Sequence, residues 1–197
     1  MSGDHGELPV AARVRQLEDQ VIAAGLTTDA ELDEILAGRY RTGSPANGAR
    51  LVARAWADAG FRDRLLADGN AAAAELGFGA SGGGGYGYRH KAVQKTPHRH
   101  NVIVCTLCSC YPTSLLGPSP SWYKSFAYRS RTVREPRAVL AEFGLELPAE
   151  TEILVWDSSA ETRYLVVPAR PADSAGLAED ALASLVTRDG MIGTAAF

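Results

Sequence analysis

The stretch NVIVCTLCSCYP, residues 101–112, opens with the β-branched run Val102–Ile103–Val104 and leads into a loop holding Cys105, Cys108 and Cys110. Such a run reads as a buried strand, and Tyr111-Pro112 halts any helix after it. The chain has 197 residues and no other cysteine. Its whole supply of sulfur nucleophiles therefore sits at the exit of one strand.

Several chemistries place cysteines this way. A buried thiol fits one cysteine better than three so close together. A Cys105-x-x-Cys108 redox pair normally opens a helix, which Pro112 discourages. A structural zinc site needs a fourth ligand, and His98 or His100 could supply it. The geometry of Cys108-Ser109-Cys110 favours a different metal centre. The two thiolates, with the deprotonated amide nitrogens of Ser109 and Cys110, close a set of fused chelate rings in one plane. Cys105 is near enough to cap one axial side, and the other stays open. Such anionic donors suit a trivalent iron or cobalt ion better than zinc, and an open position is what a catalytic metal site needs.

Around this loop the chain reads in parts. Residues 1–80 form a helical arm and further helices. Val10, Val14, Leu17 and Val21 recur on one narrow stripe, which Gly25 ends. Thr28 with Glu31 has capping-box spacing and opens a second helix with Leu32, Ile35 and Leu36 on one face, stopped by Gly38. A third helical stretch carries Leu51, Val52, Trp56, Phe61 and Leu65, and a fourth runs from about Asn70 to Leu76. Narrow stripes make a weak core and suggest that the arm lies on another chain. Residues 81–92, which overlap GASGGGGYGYRHK (79–91), read as a glycine-rich linker or loop.

Residues 93–197 read as a metal-binding α+β catalytic domain of short strands and helices. REPRAVLAEFG is a helix with Pro136 in its first turn and Gly144 past its end. TEILVWDSSAETRYLVVP reads as a hairpin turning at Asp157–Glu161. GLAEDALASLV reads as a helix with Leu177, Leu182 and Leu185 inward. His98, His100 and the arginines 129, 131, 134 and 137 are assigned to solvent or to a partner's surface, and Trp122 and Tyr123 to a core or an interface. A Ser109/His100/Asp157 triad can be drawn on paper only.

The net charge is −3 with 22% charged residues, which gives no reason to expect nucleic acid or an anionic membrane as partner. No apolar run approaches the ~20 residues that span a bilayer, and the N-terminus lacks a signal-peptide pattern. A cytoplasmic location is expected, where structural disulfides are disfavoured.

VCTLCSCYP resembles the metal-claw motif of nitrile hydratase α subunits. NGARLVARAW, TPHRHNVIVCTLCSCY, LLGPSPSWYK, AYRSRTVREPRAVLAEFG, VWDSSAETRYLVVP and LVTRDGMIG extend the resemblance in order along the chain. The resemblance implies a helical arm that wraps a β subunit, then a layered α/β/β/α-like domain. It implies metal ligation by Cys105, Cys108 and Cys110 with the amides of Ser109 and Cys110, and catalysis at Cys108, Ser109 and Cys110. Cys108 would be a sulfinic acid and Cys110 a sulfenic acid, bound by β-subunit arginines. Thr106 points to cobalt(III) rather than iron(III). The reaction implied is hydration of a small-molecule nitrile to its amide, with a metallochaperone or activator as a further partner.

The match has departures. Many relatives read CYPWPVLG where this chain has CYPTSLLG, so Thr113 and Ser114 replace a tryptophan and a proline. The expectation is a larger pocket for a bulky cyano-heterocycle such as toyocamycin. Gln94 is a candidate neighbour of the metal loop. Two other functions fit the same residues: a thiocyanate hydrolase subunit, giving carbonyl sulfide and ammonia, and a non-catalytic zinc-binding module.

Overall fold

The turn after β-strand Glu152–Asp157 does not make a hairpin, and this sets the architecture. In the computed structural model, residues 9–41, 43–78 and 87–196 are described. They divide into two units, Met1–Arg39 and Tyr40–Phe197.

The first unit holds α1 (Val10–Ala23) and most of α2 (Asp29–Arg41). α1 buries no residue, and Val10, Val14 and Leu17 are all exposed. Gly25 ends α1 with a positive φ of 68°. The capping box forms: Glu31 N donates to Thr28 Oγ1 at 3.2 Å and Thr28 N to Glu31 Oε2 at 2.9 Å. α2 does not stop at Gly38 but continues to Arg41. A glycine inside a helix costs only about 1 kcal/mol relative to alanine, which does not force a break.

The second unit begins with α3 (Pro45–Ala57), α4 (Ala59–Ala67) and α5 (Gly69–Glu75). The third helical stretch is thus two helices, because the Asp58 carboxylate captures Phe61 N at 3.0 Å and starts a new one. Asp68 repeats the device by accepting from Asn70 N and Ala71 N. Gly48 lets α3 approach closely: a Cβ there would meet Met191 Sδ at 2.7 Å and Leu115 O at 2.9 Å.

Then come β1 (Arg89–Gln94) and β2 (Arg99–Val104). Strand therefore begins at Arg89, inside the segment read as linker; residues 79–86 lie outside the described residues. α6 (Thr113–Leu116), a 3-10 turn at Ser121–Lys124, α7 (Phe126–Arg131) and α8 (Pro136–Glu142) follow. β3 (Glu152–Asp157), β4 (Thr162–Val167), α9 (Glu179–Leu185) and α10 (Arg188–Ile192) complete the chain.

β1 pairs in parallel with β4, from Arg89↔Thr162 to Gln94↔Val167. β2 pairs in parallel with β3, from Arg99↔Glu152 to Val104↔Asp157. The turn between β3 and β4, closed by Ser159 N to Thr162 O at 3.0 Å, joins two sheets. Its flanks already have partners: Ser158 N donates to Val104 O, and Glu161 O accepts from Arg89 N. Parallel pairing suits β2 and the end of β4, whose residues are buried in succession, while β1 alternates and β3 is only partly covered. α4, α5 and α10 pack on the β1–β4 pair, and α8 on β3. The result is a mixed helix-and-strand, α+β fold.

Two burial expectations are corrected. Only Leu182 of the α9 leucines is buried; Leu177 precedes the helix and Leu185 ends it, both exposed. His100 does not face solvent or a partner. It is buried in β2 with Nε2 at 2.7 Å from Gly193 O.

Candidate metal centre

β2 ends in buried Val104, buried Cys105 follows it, and the chain then surfaces: Thr106 to Ser109 are exposed before Tyr111 re-enters the core. A short loop leaving a buried strand needs its polar backbone satisfied, and distant side chains do this. Asp157, which ends β3 opposite Val104, accepts from Thr106 N at 2.9 Å and from Thr106 Oγ1 at 2.6 Å. From α7, Arg129 donates through Nε to Cys105 O at 3.0 Å and through Nη2 to Thr106 O at 2.7 Å. The Tyr123 hydroxyl donates to Cys110 O at 3.0 Å.

Within this frame the three sulfurs meet. All lie within 4.8 Å of one another, with Cys105 to Cys108 at 3.5 Å and Cys108 to Cys110 at 3.1 Å. Two thiolates bound cis to one ion at ~2.3 Å each would stand ~3.3 Å apart, so the spacing fits a shared ion. Cys108 is pulled down to about 7, first by the Cys110 thiol and further by Cys105 and the amides of Ser109 and Cys110. Burial pushes Cys110 up to about 12, the adjacent Cys108 adds to this, and the Arg163 charge opposes it. One thiolate comes readily; three at once need a cation in their midst.

The structure brings the sulfurs of Cys105, Cys108 and Cys110 together, with Ser109 between the last two in the chain. Other candidates go elsewhere. Gln94 is exposed at the end of β1, its carbonyl accepting from Asn101 Nδ2. His98 is exposed, and buried His100 is no partner for Ser109, so neither the drawn triad nor a histidine ligand assembles. Trp122 and Tyr123 pack in an aromatic cluster with Tyr128 and Phe143. Of the arginines, Arg131 pairs with Glu135 and Glu142 on the surface and Arg134 is exposed. Arg137 binds the carbonyls of Leu147, Pro148 and Thr151.

Sequence reasoning missed Arg129 and Asp157 as the frame of the loop. Arg129 sits in a run of arginines that looks solvated. Asp157 looked like a turn residue, and only the β2–β3 register sets it against Thr106.

The family described as nitrile hydratase, alpha chain, matches residues 8–195. The cobalt-containing nitrile hydratase subunit alpha of Pseudonocardia thermophila is 48% identical over 93% of this chain and 89% of its own. Thiocyanate hydrolase subunit gamma of Thiobacillus thioparus is 46% identical over 77% of this chain and 65% of its own. A solved variant of the Fe-type nitrile hydratase from Comamonas testosteroni Ni1 superposes with a TM-score of 0.87 at 40% identity, covering 96% of this chain and 92% of that one.

Proposed function

This chain belongs to the nitrile hydratase α-chain family, and on that premise we propose that it is the metal-binding subunit of a cobalt(III) enzyme that hydrates a nitrile to its amide. The observation that carries the reading is the convergence of three sulfurs within 4.8 Å on a loop held from outside. Cys105, Cys108 and Cys110 would hold the ion with the amide nitrogens of Ser109 and Cys110. Bound there, a trivalent ion supplies Lewis acidity toward the nitrile.

The chain's own residues do the rest. Buried Cys105 closes the inner side of the site to water. Asp157 and Arg129 hold the loop that carries the three sulfurs. Cys108 matures to a sulfinic acid and Cys110 to a sulfenic acid by dioxygen. The Cys110 oxygen would then either take a proton from the water that attacks the nitrile carbon and pass it to the nitrogen, or itself add to the carbon, with water then releasing the amide and restoring the sulfenic acid. Leu107 and Phe126 are 88% and 84% exposed beside the loop. They are the surface that a β subunit would cover, and its arginines would bind the sulfur oxygens. The helical arm would lie on the same subunit. A metallochaperone would load the ion, and the location would be cytoplasmic. Among the described residues no helix is long and apolar enough to cross a membrane. Thr113 and Ser114 in place of larger or stiffer residues favour a bulky cyano-heterocycle such as toyocamycin.

The test is metal analysis with mass spectrometry of residues 101–124, on protein co-expressed with its β subunit in cobalt-supplemented cells. Near-stoichiometric cobalt with oxygen added at Cys108 and Cys110 is the expected result. Zinc and three unmodified thiols in an inactive complex would overturn it. The likeness to the Thiobacillus thioparus subunit supports a second reading, thiocyanate hydrolysis, and release of carbonyl sulfide from thiocyanate separates the two.

A further inference from the structure

One short segment grips the cysteine loop, and one face of that segment is uncovered. Ser125 Oγ accepts from Tyr128 N at 3.2 Å and starts α7. The buried side of α7 sends the Tyr128 hydroxyl to Ile103 O at 2.7 Å. With Tyr123 on Cys110 O and Arg129 on Cys105 O and Thr106 O, residues 123–129 hold carbonyls before and after the sulfurs. Each of these bonds ends on a carbonyl, so the sulfurs and amide nitrogens are left to an ion.

Phe126 and Arg129 stand three apart on α7 and share a face. The Arg129 guanidinium lies 5.4 Å from the centre of the Phe126 ring. Phe126 is 84% exposed and Val133 46%. With Thr106, Ser130 and Arg134 these residues line an open groove of about 350 Å³. Its floor is apolar and its rim is basic. Arg134 is exposed, and the neighbouring Glu135 is taken by Arg131. Arg129 spends Nε and Nη2 on the loop, and an arginine has further donors at Nη1. An uncovered ring beside two arginines fits an apolar side chain flanked by a carboxylate.

Covering this groove changes the loop without touching a sulfur. The bond from Arg129 Nη2 to Thr106 O is exposed, so water competes for both of its ends. Removing that water lowers the local dielectric and strengthens the guanidinium–carbonyl bonds. A carboxylate on Nη1 keeps the buried charge paired. The gain falls on the docked state alone, which is what coupling between two sites requires.

We propose that this groove seats a β-subunit segment presenting an apolar side chain flanked by a carboxylate, and that Arg129 transmits the docking to the metal loop, tightening its hold on the ion. Arg129 is thus a positioning residue whose full effect belongs to the assembled enzyme. The occupant rests on the hydratase reading above, and the inference adds how assembly and metal retention are linked.

The test uses the full chain with and without its β subunit. Titration reads β affinity, a chelator reads cobalt escape, and amide exchange at Thr106 reads the loop in the metal-free chain. Phe126→Ala should weaken β binding at least ~10-fold, and Arg134→Ala about threefold, as a rim charge does. Arg129→Lys keeps the charge but not the fork. Saturated with β, it should show a docking-induced slowing of cobalt escape and of Thr106 exchange about tenfold smaller than the wild type. Exchange at Leu51 in α3 shows in the same run that the variant is folded. Phe126→Ala alters an exposed position only, and at saturating β its slowing should shrink as well. Equal slowing in the wild type and both variants is what simple shielding by β gives, and it overturns the coupling. Unchanged affinity in Phe126→Ala, or no β binding at all, overturns the seat. The exchange arm needs neither metal nor nitrile, so a complex that fails to hydrate nitriles sinks the hydratase reading and leaves this inference to the variants.

Discussion

Thr28 closes the first turn of α2 on Glu31, three residues away, whereas Thr106 closes the cysteine loop on Asp157, fifty-one residues away. The two threonines make the same kinds of bond. One bond is available to any peptide of that sequence; the other exists only when β2 and β3 are in register. The arm is thus a locally specified element with nothing buried on α1, and the loop is an element made by tertiary structure. Damage to the arm should stay in the arm. Damage to the loop's frame should reach the metal.

The largest effect belongs to the ligands. Cys110→Ala should reduce cobalt to background and nitrile hydration by at least about a thousandfold, because residues that act as one unit fail together. Metal analysis beside a rate assay checks this; cobalt retained in full would remove Cys110 from the ligand set.

Acid comes next, through the buried histidine next to the loop. The pKa of His90 is pushed from 6.5 down to about 4, first by burial and then by Arg163. The unfolded chain binds the proton first, so this contribution is present above pH 6.5 and lost as pH falls toward 4. The loss amounts to about 3 kcal/mol. Urea midpoints of the second unit at pH 7 and pH 4 measure it, and a His90→Gln variant should flatten the difference. An unchanged slope in that variant would assign the acid sensitivity elsewhere.

The frame itself is a smaller lever. Asp157→Asn leaves the shape but weakens two charge-assisted bonds to Thr106. Cobalt should then escape to a chelator about 10–100-fold faster, the usual scale for groups that orient metal ligands. If the escape rate does not change, Arg129 and Tyr123 alone suffice to hold the loop.

The smallest effect tests the other side of the comparison. Thr28→Ala removes one half of a capping box, worth about 1 kcal/mol. Amide exchange should quicken in the first turn of α2 while cobalt content stays level. A fall in cobalt content would show that the arm is not locally independent.

Much of this was legible beforehand. The cysteine spacing announced a chelate, and Thr28–Glu31, Pro136 and Gly144 marked helix ends where they occur. Each is a short-range signal carried by neighbouring residues. The hairpin reading of TEILVWDSSAETRYLVVP failed because turn residues report only that the chain reverses, and β3 and β4 took β2 and β1 as partners instead. His100 was placed outside because a histidine between arginine and asparagine looks polar, yet its Nε2 finds a carbonyl in α10's terminal turn, Gly193.

By itself, then, the sequence determined the cysteine cluster, its spacing and the helices that cap themselves, because those depend on atoms a few bonds apart. Tertiary structure alone decided that Asp157 and Arg129 shape the loop, and that Asn70, His90, Ser114 and Tyr88 form one hydrogen-bonded chain. Those contacts join residues 18 to 51 positions apart. No local preference encodes such pairs; strand register and helix packing bring them within hydrogen-bonding distance.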